Sequence, residues 1–416
     1  MLEYLHLKEV GPAPRMELEL GSRLNLITGD NGLGKSFLLD VAWWALTRTW
    51  ARHLVVPRLP PAKPEIEYRY TKSTAPSYSF TSTFDRKAER WSVKPSRPAI
   101  PGLVLYAQVD GGFSVWDPAR NYWKKDAPER PASYLFAPNE IWDGNRNCEG
   151  LVRDWASWQR ERGSAFEELT KVLKVVSPSP DEALTAGELR KVTLDDPKLY
   201  PTLRMPYGED VPIIHASAGV RRVTALAYLL VWAWREHLGA SKLLGDQPTR
   251  EIIFLIDEIE AHLHPQWQRR IVPALLDVMD ALTGRHGSHV QLIAATHSPL
   301  VLASAEPRFD TKQDAWFDLD MVAGRVCLNK RAFTRLGEVG NWLTSEAFDL
   351  KEARSLEAEE AISAALALAR ASSPEKEEIK RVDGLLRRAL GDVDRFWVRW
   401  SEFKASHDAE PRRRER

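Results

Sequence analysis

One octapeptide limits what this chain can fold into more than any other feature. Gly29-Asp30-Asn31-Gly32-Leu33-Gly34-Lys35-Ser36 fits the spacing G-x-x-x-x-G-K-[ST]. An apolar run, Leu24 to Thr28, precedes it, and the segment Ser36 to Thr47 reads as a helix. That strand, loop and helix context is what the motif needs. The glycines let consecutive backbone N–H groups turn toward one anion, and the helix N-terminus adds its dipole. Lys35 is placed for the β- and γ-phosphates of a nucleotide, and the Ser36 hydroxyl for Mg2+. Gly29, Asn31, Gly32, Gly34, Lys35, Ser36 and Phe37 are therefore the candidate nucleotide-binding residues, with ATP and Mg2+ the expected ligands.

Two further apolar runs end in chemistry. Glu251 to Ile256 is nearly continuous in apolar side chains, the mark of a parallel strand buried on both faces. Asp257 and Glu258 close it, at the end where open α/β sheets bind ligands. Asp257 is expected to orient Mg2+, and Glu258 to polarise an attacking water. The second run ends in Ala294-Ala295-Thr296-His297-Ser298-Pro299, which puts His297 at a strand end within reach of a γ-phosphate. Ile214 to Arg222 precedes an apolar helix from Val220 to about His237. Ser217 and the N–H groups of that helix form an anion site. Each feature has a plain reading as well: two carboxylates capping a helix, a surface histidine, an ordinary N-cap. The order of loop, Asp-Glu pair and histidine favours the chemical one.

Ile259-Glu260-Ala261-His262-Leu263-His264-Pro265 follows the Asp-Glu pair. This D-E-[PI]-E-x-x-L-H-P text, with T-H-S-P around His297, resembles the RecF/OLD-like (AAA_15/AAA_21) branch of ABC-type ATPases. The resemblance implies an α/β P-loop NTPase of ABC-ATPase type, with a mixed β-sheet core, a helical subdomain, a β-rich insert and C-terminal helices. It implies that Ser217 and Gly219 stand for the serine and second glycine of the L-S-G-G-Q signature, from which Ala218 and Val220 depart. In such proteins the signature of one protomer meets the γ-phosphate held by another. A homodimer or higher even oligomer glued by ATP, and loosened when Glu258 drives hydrolysis, is the expected behaviour, with slow turnover until a partner joins. For the glutamine that links metal site and helical subdomain, Gln108, Asn139 and Gln159 all remain open. Leu336 to Gly340 and onward through Ser355 resemble the C-terminal regions of stand-alone bacterial anti-phage ATPases of the Septu, Gabija and retron-associated type. That implies a separately encoded effector such as a nuclease. The alternative is a RecF-like ATPase in DNA repair that binds nucleic acid itself, through side chains such as Arg90, Lys124, Lys125, Arg146 and Arg153; acidic residues interleave them.

The rest of the sequence sets boundaries. Residues 1–55 and 211–330 are expected to form the discontinuous ATPase core, 56–150 a β-rich insert, 151–210 a helical subdomain and connector, and 331–416 a C-terminal helical region, in two pieces, with a basic tail. Lys+Arg and Asp+Glu both number 58, which argues against a globally basic, nucleic-acid-coating protein. Two distant cysteines make no disulfide framework and fit a reducing cytosol, so a cytoplasmic location is expected. The first residues lack a signal-peptide pattern, and the apolar run from Val223 to Trp234 is too short to span a bilayer. The 16 tryptophans read as core filler, and His262 and His264 as a family pattern more than a metal site. Asp318-Leu319-Asp320 mimics the D-x-D of a TOPRIM nuclease but sits in a hairpin turning at Gly324, the expected last β element of the core.

Overall fold

Alternation of apolar and polar residues shapes the opening of the chain. In the computed structural model, which describes residues 1–60, 63–72, 75–94, 100–122, 129–283, 289–348, 350–371 and 373–408, β1 (Leu2–Lys8) and β2 (Arg15–Glu19) bury Leu5, Leu7, Met16 and Leu18 on one face. The apolar β3 (Leu24–Gly29) is buried along its whole length, and α1 (Lys35–Thr47) leaves the phosphate loop directly. Then come β4 (Glu65–Lys72), β5 (Ala75–Asp85), β6 (Arg90–Trp91), β7 (Leu103–Ala107), β8 (Phe113–Trp116), α2 (Pro118–Asn121), β9 (Tyr134–Phe136) and α3 (Pro138–Asp143). The subdomain and connector expected over 151–210 open with two helices, α4 (Leu151–Glu161) and α5 (Ser164–Val175). They break where Arg162 takes a left-handed φ of 53° before Gly163. The chain that follows carries a small sheet of β10 (Thr185–Ala186), β11 (Thr202–Arg204) and β12 (Asp210–Pro212).

The apolar helix predicted from Val220 is α6 (Ala218–Leu244), capped by Ser217. It is followed by β13 (Glu251–Ile256), α7 (Pro265–Gln268), α8 (Ile271–Thr283), β14 (His289–Ala295), α9 (Pro299–Ala305), β15 (Ala315–Val322) and β16 (Arg325–Arg331). No described helix is long and apolar enough to cross a membrane.

Two sheets hold α1 between them. One is antiparallel, in the order β2-β1-β4-β5-β6. The other runs β16-β15-β3-β14-β13-β7-β8-β9, with the five strands from β15 to β7 mutually parallel and the flanking strands antiparallel. Trp43 and Trp44 of α1 join Leu5, Tyr68 and Trp91 from the first sheet and Ile27, Tyr106, Leu255 and Ile293 from the second in one core. Trp43, Trp116 and Trp155 are fully buried, so these tryptophans are core residues as read.

This topology corrects the expected insert over 56–150. β4 pairs with β1, and β7 pairs in parallel with β13, so those strands complete the two core sheets and form no separate body. Asp318 is likewise a core residue: it lies on β15, beside β3, and accepts from the Thr28 hydroxyl at 2.7 Å.

Residues 338–416 form a second compact unit. It contains α10 (Val339–Leu343), α11 (Leu356–Arg370), α12 (Lys376–Ala389) and α13 (Phe396–Asp408), one long helix more than the two expected. Ile362, Leu368, Val382, Leu386 and Trp400 build its own core. Lys124, Lys125 and the basic tail lie outside the described residues.

Candidate nucleotide site

Parallel register brings the candidate residues to one edge. Ala295 lies opposite Ile27, and Ile256 lies opposite both Ala294 and Ala107. The chain therefore leaves β3, β14, β13 and β7 side by side, carrying the phosphate loop, His297, the Asp257-Glu258 pair and Gln108 to the carboxyl end of one sheet.

The loop itself is shaped by close approach. Gly29 has φ 131°, and a Cβ there would lie 2.2 Å from the Leu319 carbonyl oxygen, so only glycine fits. Gly32, at φ 79°, is exposed, and a Cβ there would meet nothing within 4 Å, which leaves its backbone open to a ligand. Asn31 is exposed beside it. Lys35 is buried, and its Nζ donates to the carbonyls of Gly29 (2.6 Å) and Asp30 (2.9 Å). Burial holds its ammonium below the ordinary lysine pKa, against the pull of Glu258, Glu260 and Asp257. The Phe37 ring is half-buried against the core, so what Phe37 offers an anion is its first-turn N–H.

Ser36 and Asp257 meet directly: the Ser36 hydroxyl donates to Asp257 Oδ1 at 3.0 Å. A hydroxyl and a carboxylate, both hard oxygen donors, suit a Mg2+ ion that keeps water and phosphate as its remaining ligands. Burial raises the Asp257 pKa, opposed by the Ser36 bond and Arg52. Arg52 is the residue sequence reasoning missed. It lies beyond α1, outside every motif, and its guanidinium donates to Asp40 Oδ1 (3.0 Å), the Tyr106 hydroxyl (2.8 Å), Asp257 Oδ2 (3.4 Å) and the Ser36 carbonyl (3.4 Å). Tyr106 donates in turn to Asp40 Oδ1 at 3.0 Å. Only a polar residue following the phosphate-loop helix could have signalled it.

On the other side, His297 Nε2 lies 3.1 Å from Glu258 Oε1, with the two side chains about one third exposed at 31% and 34%. Glu258 adopts a left-handed φ of 47°, uncommon for a non-glycine residue. Of the three glutamine or asparagine candidates, Gln108 is the one the fold delivers here, buried at the end of β7 with Nε2 donating to Ser114 Oγ at 2.8 Å. Gln159 instead bonds Trp155 and the Gly187 carbonyl, and Asn139 is exposed on α3.

Ser217 and Gly219 are not joined to this edge by any hydrogen bond among the described residues. Ser217 Oγ accepts from the N–H of Val220 at 3.4 Å, capping α6. Gly219 has a packing role within the chain: a Cβ there would lie 2.6 Å from the His262 carbonyl oxygen. Arg222 reaches back from α6 to the carbonyls of Val109 (3.1 Å), Gln108 (3.3 Å) and Asp257 (3.3 Å), fastening the helix to the ends of β7 and β13. His264 caps α7. No cluster of three or more His, Cys, Asp or Glu placed to hold a metal occurs among the described residues.

Known proteins match this arrangement in part. A retron Vc95 probable ATPase of Vibrio cholerae is 46% identical over 103 residues, 23% of this chain and 17% of that protein. The acetyltransferase pigO of Monascus ruber is 27% identical over 177 residues, 41% of this chain and 33% of that one. The chain thus spans no more than about a third of the length of either relative. Among solved structures, the SMC head domain from Thermotoga maritima aligns at a TM-score of 0.40 with 14% identity, over 80% of this chain and 99% of that one. The recombination mediator RecF aligns at 0.39 with 13% identity, over 80% and 98%. Scores this low carry no weight beside the strand order and the loop geometry. The family model described as "AAA domain, putative AbiEii toxin, Type IV TA system" matches residues 24–303, from β3 through the histidine strand into α9. With a phosphate loop, an Asp-Glu strand end and a histidine strand end on one edge, and that match over more than half its length, this chain belongs to the AAA_21 family of P-loop ATPases.

Proposed function

We propose that the protein binds and hydrolyses ATP with Mg2+, and that ATP drives its self-association to control a separately encoded effector. The observation that supports this most is the convergence of Lys35, Ser36, Asp257, Glu258 and His297 on one sheet edge. In this reading the phosphate-loop N–H groups and Lys35 hold the β- and γ-phosphates. Ser36 and Asp257 hold Mg2+, which neutralises phosphate charge when bound. Glu258 takes a proton from the attacking water, and His297 reads the γ-phosphate and keeps Glu258 in place. Gln108, beside Asp257, links the metal site to the β7–β8 turn.

In this reading Ser217, Ala218 and Arg221, exposed at the start of α6 while Gly219 and Val220 are buried, present a second anion site. A head-to-tail partner's γ-phosphate would complete it, making a homodimer or higher even oligomer. The similarity to a retron probable ATPase supports the ATPase part of this reading; the defence role and the nuclease-like effector follow from the resemblance of Leu336 to Ser355 alone. Around Arg146 and Arg153 the surface does not favour the nucleic-acid alternative: Arg153 pairs with Glu149, and Arg146 shares a polar cavity with Glu149, Asp154, Arg235 and Glu236. A phosphate track needs unopposed cations.

Light scattering of Glu258→Gln with ATP and Mg2+ tests the reading. The expected outcome is an ATP-dependent doubling of mass, with turnover reduced by roughly 10²- to 10⁴-fold for loss of a general base. A variant that stays monomeric at saturating ATP rules out association through nucleotide, whatever its turnover.

A further inference from the structure

Two residues beyond Glu258, another carboxylate makes bonds that no role above uses. Glu260 Oε2 accepts from the Thr296 hydroxyl at 2.7 Å, and Oε1 accepts from the backbone N–H of His297 at 2.6 Å. Thr296 Oγ1 accepts in turn from the Ser298 N–H at 3.0 Å, and the Ile259 N–H donates to the Ala295 carbonyl at 3.1 Å. The turn after β13 is thus laced to the chain from Ala295 to His297. Bonds to an ionised carboxylate are the strong members of such a set.

The turn that carries Glu260 is tightly wound. Ala261 N–H donates to the Glu258 carbonyl and Leu263 N–H to the Glu260 carbonyl, both at 2.8 Å, and Glu258 and His262 have φ of 47° and 63°. Left-handed non-glycine residues persist only where their surroundings enforce them. Here one enforcing contact is Gly219 of α6, whose Cα lies against the His262 carbonyl. One short turn therefore touches the first turn of α6, presents Glu258, and grips the backbone of His297.

We propose that Glu260 is a positioning residue: it fixes the His297 backbone so that the imidazole meets Glu258, and through its turn it ties that pair to the first turn of α6. The inference rests on Glu258 and His297 being the hydrolytic pair. Glutamine at 260 can accept from the His297 N–H and donate to Thr296 Oγ1, which has a second lone pair beside the one that accepts from Ser298, so it should preserve the lacing; alanine cannot.

The test measures ATPase turnover and ATP affinity for Glu260→Ala, Glu260→Gln, His297→Ala and the Glu260→Ala/His297→Ala pair, with hydrogen exchange over residues 295–299. Glu260→Ala should lower kcat roughly 10- to 100-fold, as outer partners of catalytic groups do, while ATP affinity moves less than about threefold. Glu260→Gln should recover most of kcat. The double variant should be no slower than His297→Ala alone, because both losses act through one group. The His297 amide should exchange at least about tenfold faster in Glu260→Ala than in Glu260→Gln. Multiplying effects in the double variant, or loss of ATP affinity in step with kcat, would overturn the role of Glu260 and leave the hydrolytic pair standing. Unchanged turnover in His297→Ala would overturn the pair and the inference together.

Discussion

The two halves of the nucleotide site are built in opposite ways. The half around Ser36 and Asp257 is closed. Asp257 is fully buried, and Arg52, 20% exposed, is shared among Asp40, Tyr106 and Asp257. The half around Glu258 and His297 is open: about a third of each side chain meets solvent, and the carboxylates stand on a wound turn that α6 and Glu260 hold in shape. Cations fill the closed half before any ligand arrives, and a buried ion pair with its hydrogen bonds met resists rearrangement. The open half is held by backbone contacts to neighbouring loops, which a partner at α6 could shift. In the proposed reading, the site keeps a metal in register with the first kind of construction and responds to a second protomer with the other.

The largest break in this comparison should come from Lys35. Its ammonium is held below its ordinary pKa by burial, so the free protein bears a cost to keep it there. Lys35→Met should cut ATP affinity by roughly 10²- to 10⁴-fold, the worth of two charge-assisted hydrogen bonds. It should leave the melting temperature of the free protein unchanged or higher. Calorimetric titration with ATP, alongside a thermal melt, checks both. A loss of affinity accompanied by a lower melting temperature would make Lys35 a structural residue of the closed half.

Arg52 should come next. Arg52→Met removes the group that orients Asp257, and the Mg2+ concentration needed for half-maximal nucleotide binding should rise about 10- to 100-fold. Asp40 would then be left buried without its cation, so Asp40→Asn/Arg52→Met should recover stability without recovering the Mg2+ requirement. Titrating Mg2+ against binding of a fluorescent ATP analogue separates the two effects. Glu260→Ala, in the open half, should leave the same titration where it is. Equal shifts in both variants would mean the two halves act as one.

The reason Arg52 was invisible is the reason the motifs were not. Asp257, Glu258 and His297 stand just past an apolar strand, and Lys35 and Ser36 open the helix that follows one, so their placement follows from a short stretch of chain. Arg52 acquires its meaning from Tyr106 and Asp257, which lie 54 and 205 residues away. In the sequence Glu260 is one letter of a family pattern, and the parallel register of β13 and β14 shows what it holds. The strands from Glu65 to Trp116 were legible as strands. Their alternation carries no record of which sheet they join, and so they passed for an insert. Gln108 stayed one of three candidates because nothing local to it announces that β7 lies beside β13.

The smallest effect belongs to neither half and serves as their control. Asp154 on α4 accepts from the Tyr228 hydroxyl of α6 at 2.7 Å, and the Cys148 sulfur lies 3.0 Å from that hydroxyl. Burial raises the Asp154 pKa from 3.8 to about 6, with the Tyr228 bond opposing it. The folded protein therefore binds this proton more tightly than the unfolded chain does. Stability from this group is greatest below about pH 4 and declines as pH rises to about 6, where the cost of the buried charge is complete. Asp154→Asn keeps an acceptor for Tyr228 and removes the charge. Its melting temperature should match wild type near pH 4 and exceed it by a few degrees above pH 7, corresponding to at most about 3 kcal/mol. Melts from about pH 4.5 to about 8 would read the divergence, and parallel curves would mean that water or a neighbouring cation already relieves the charge. ATP affinity at neutral pH should not change, because Asp154 lies beneath the middle of α6 and touches neither half. If affinity does change, α6 transmits along its length, and the open half extends well beyond the turn that holds Glu258.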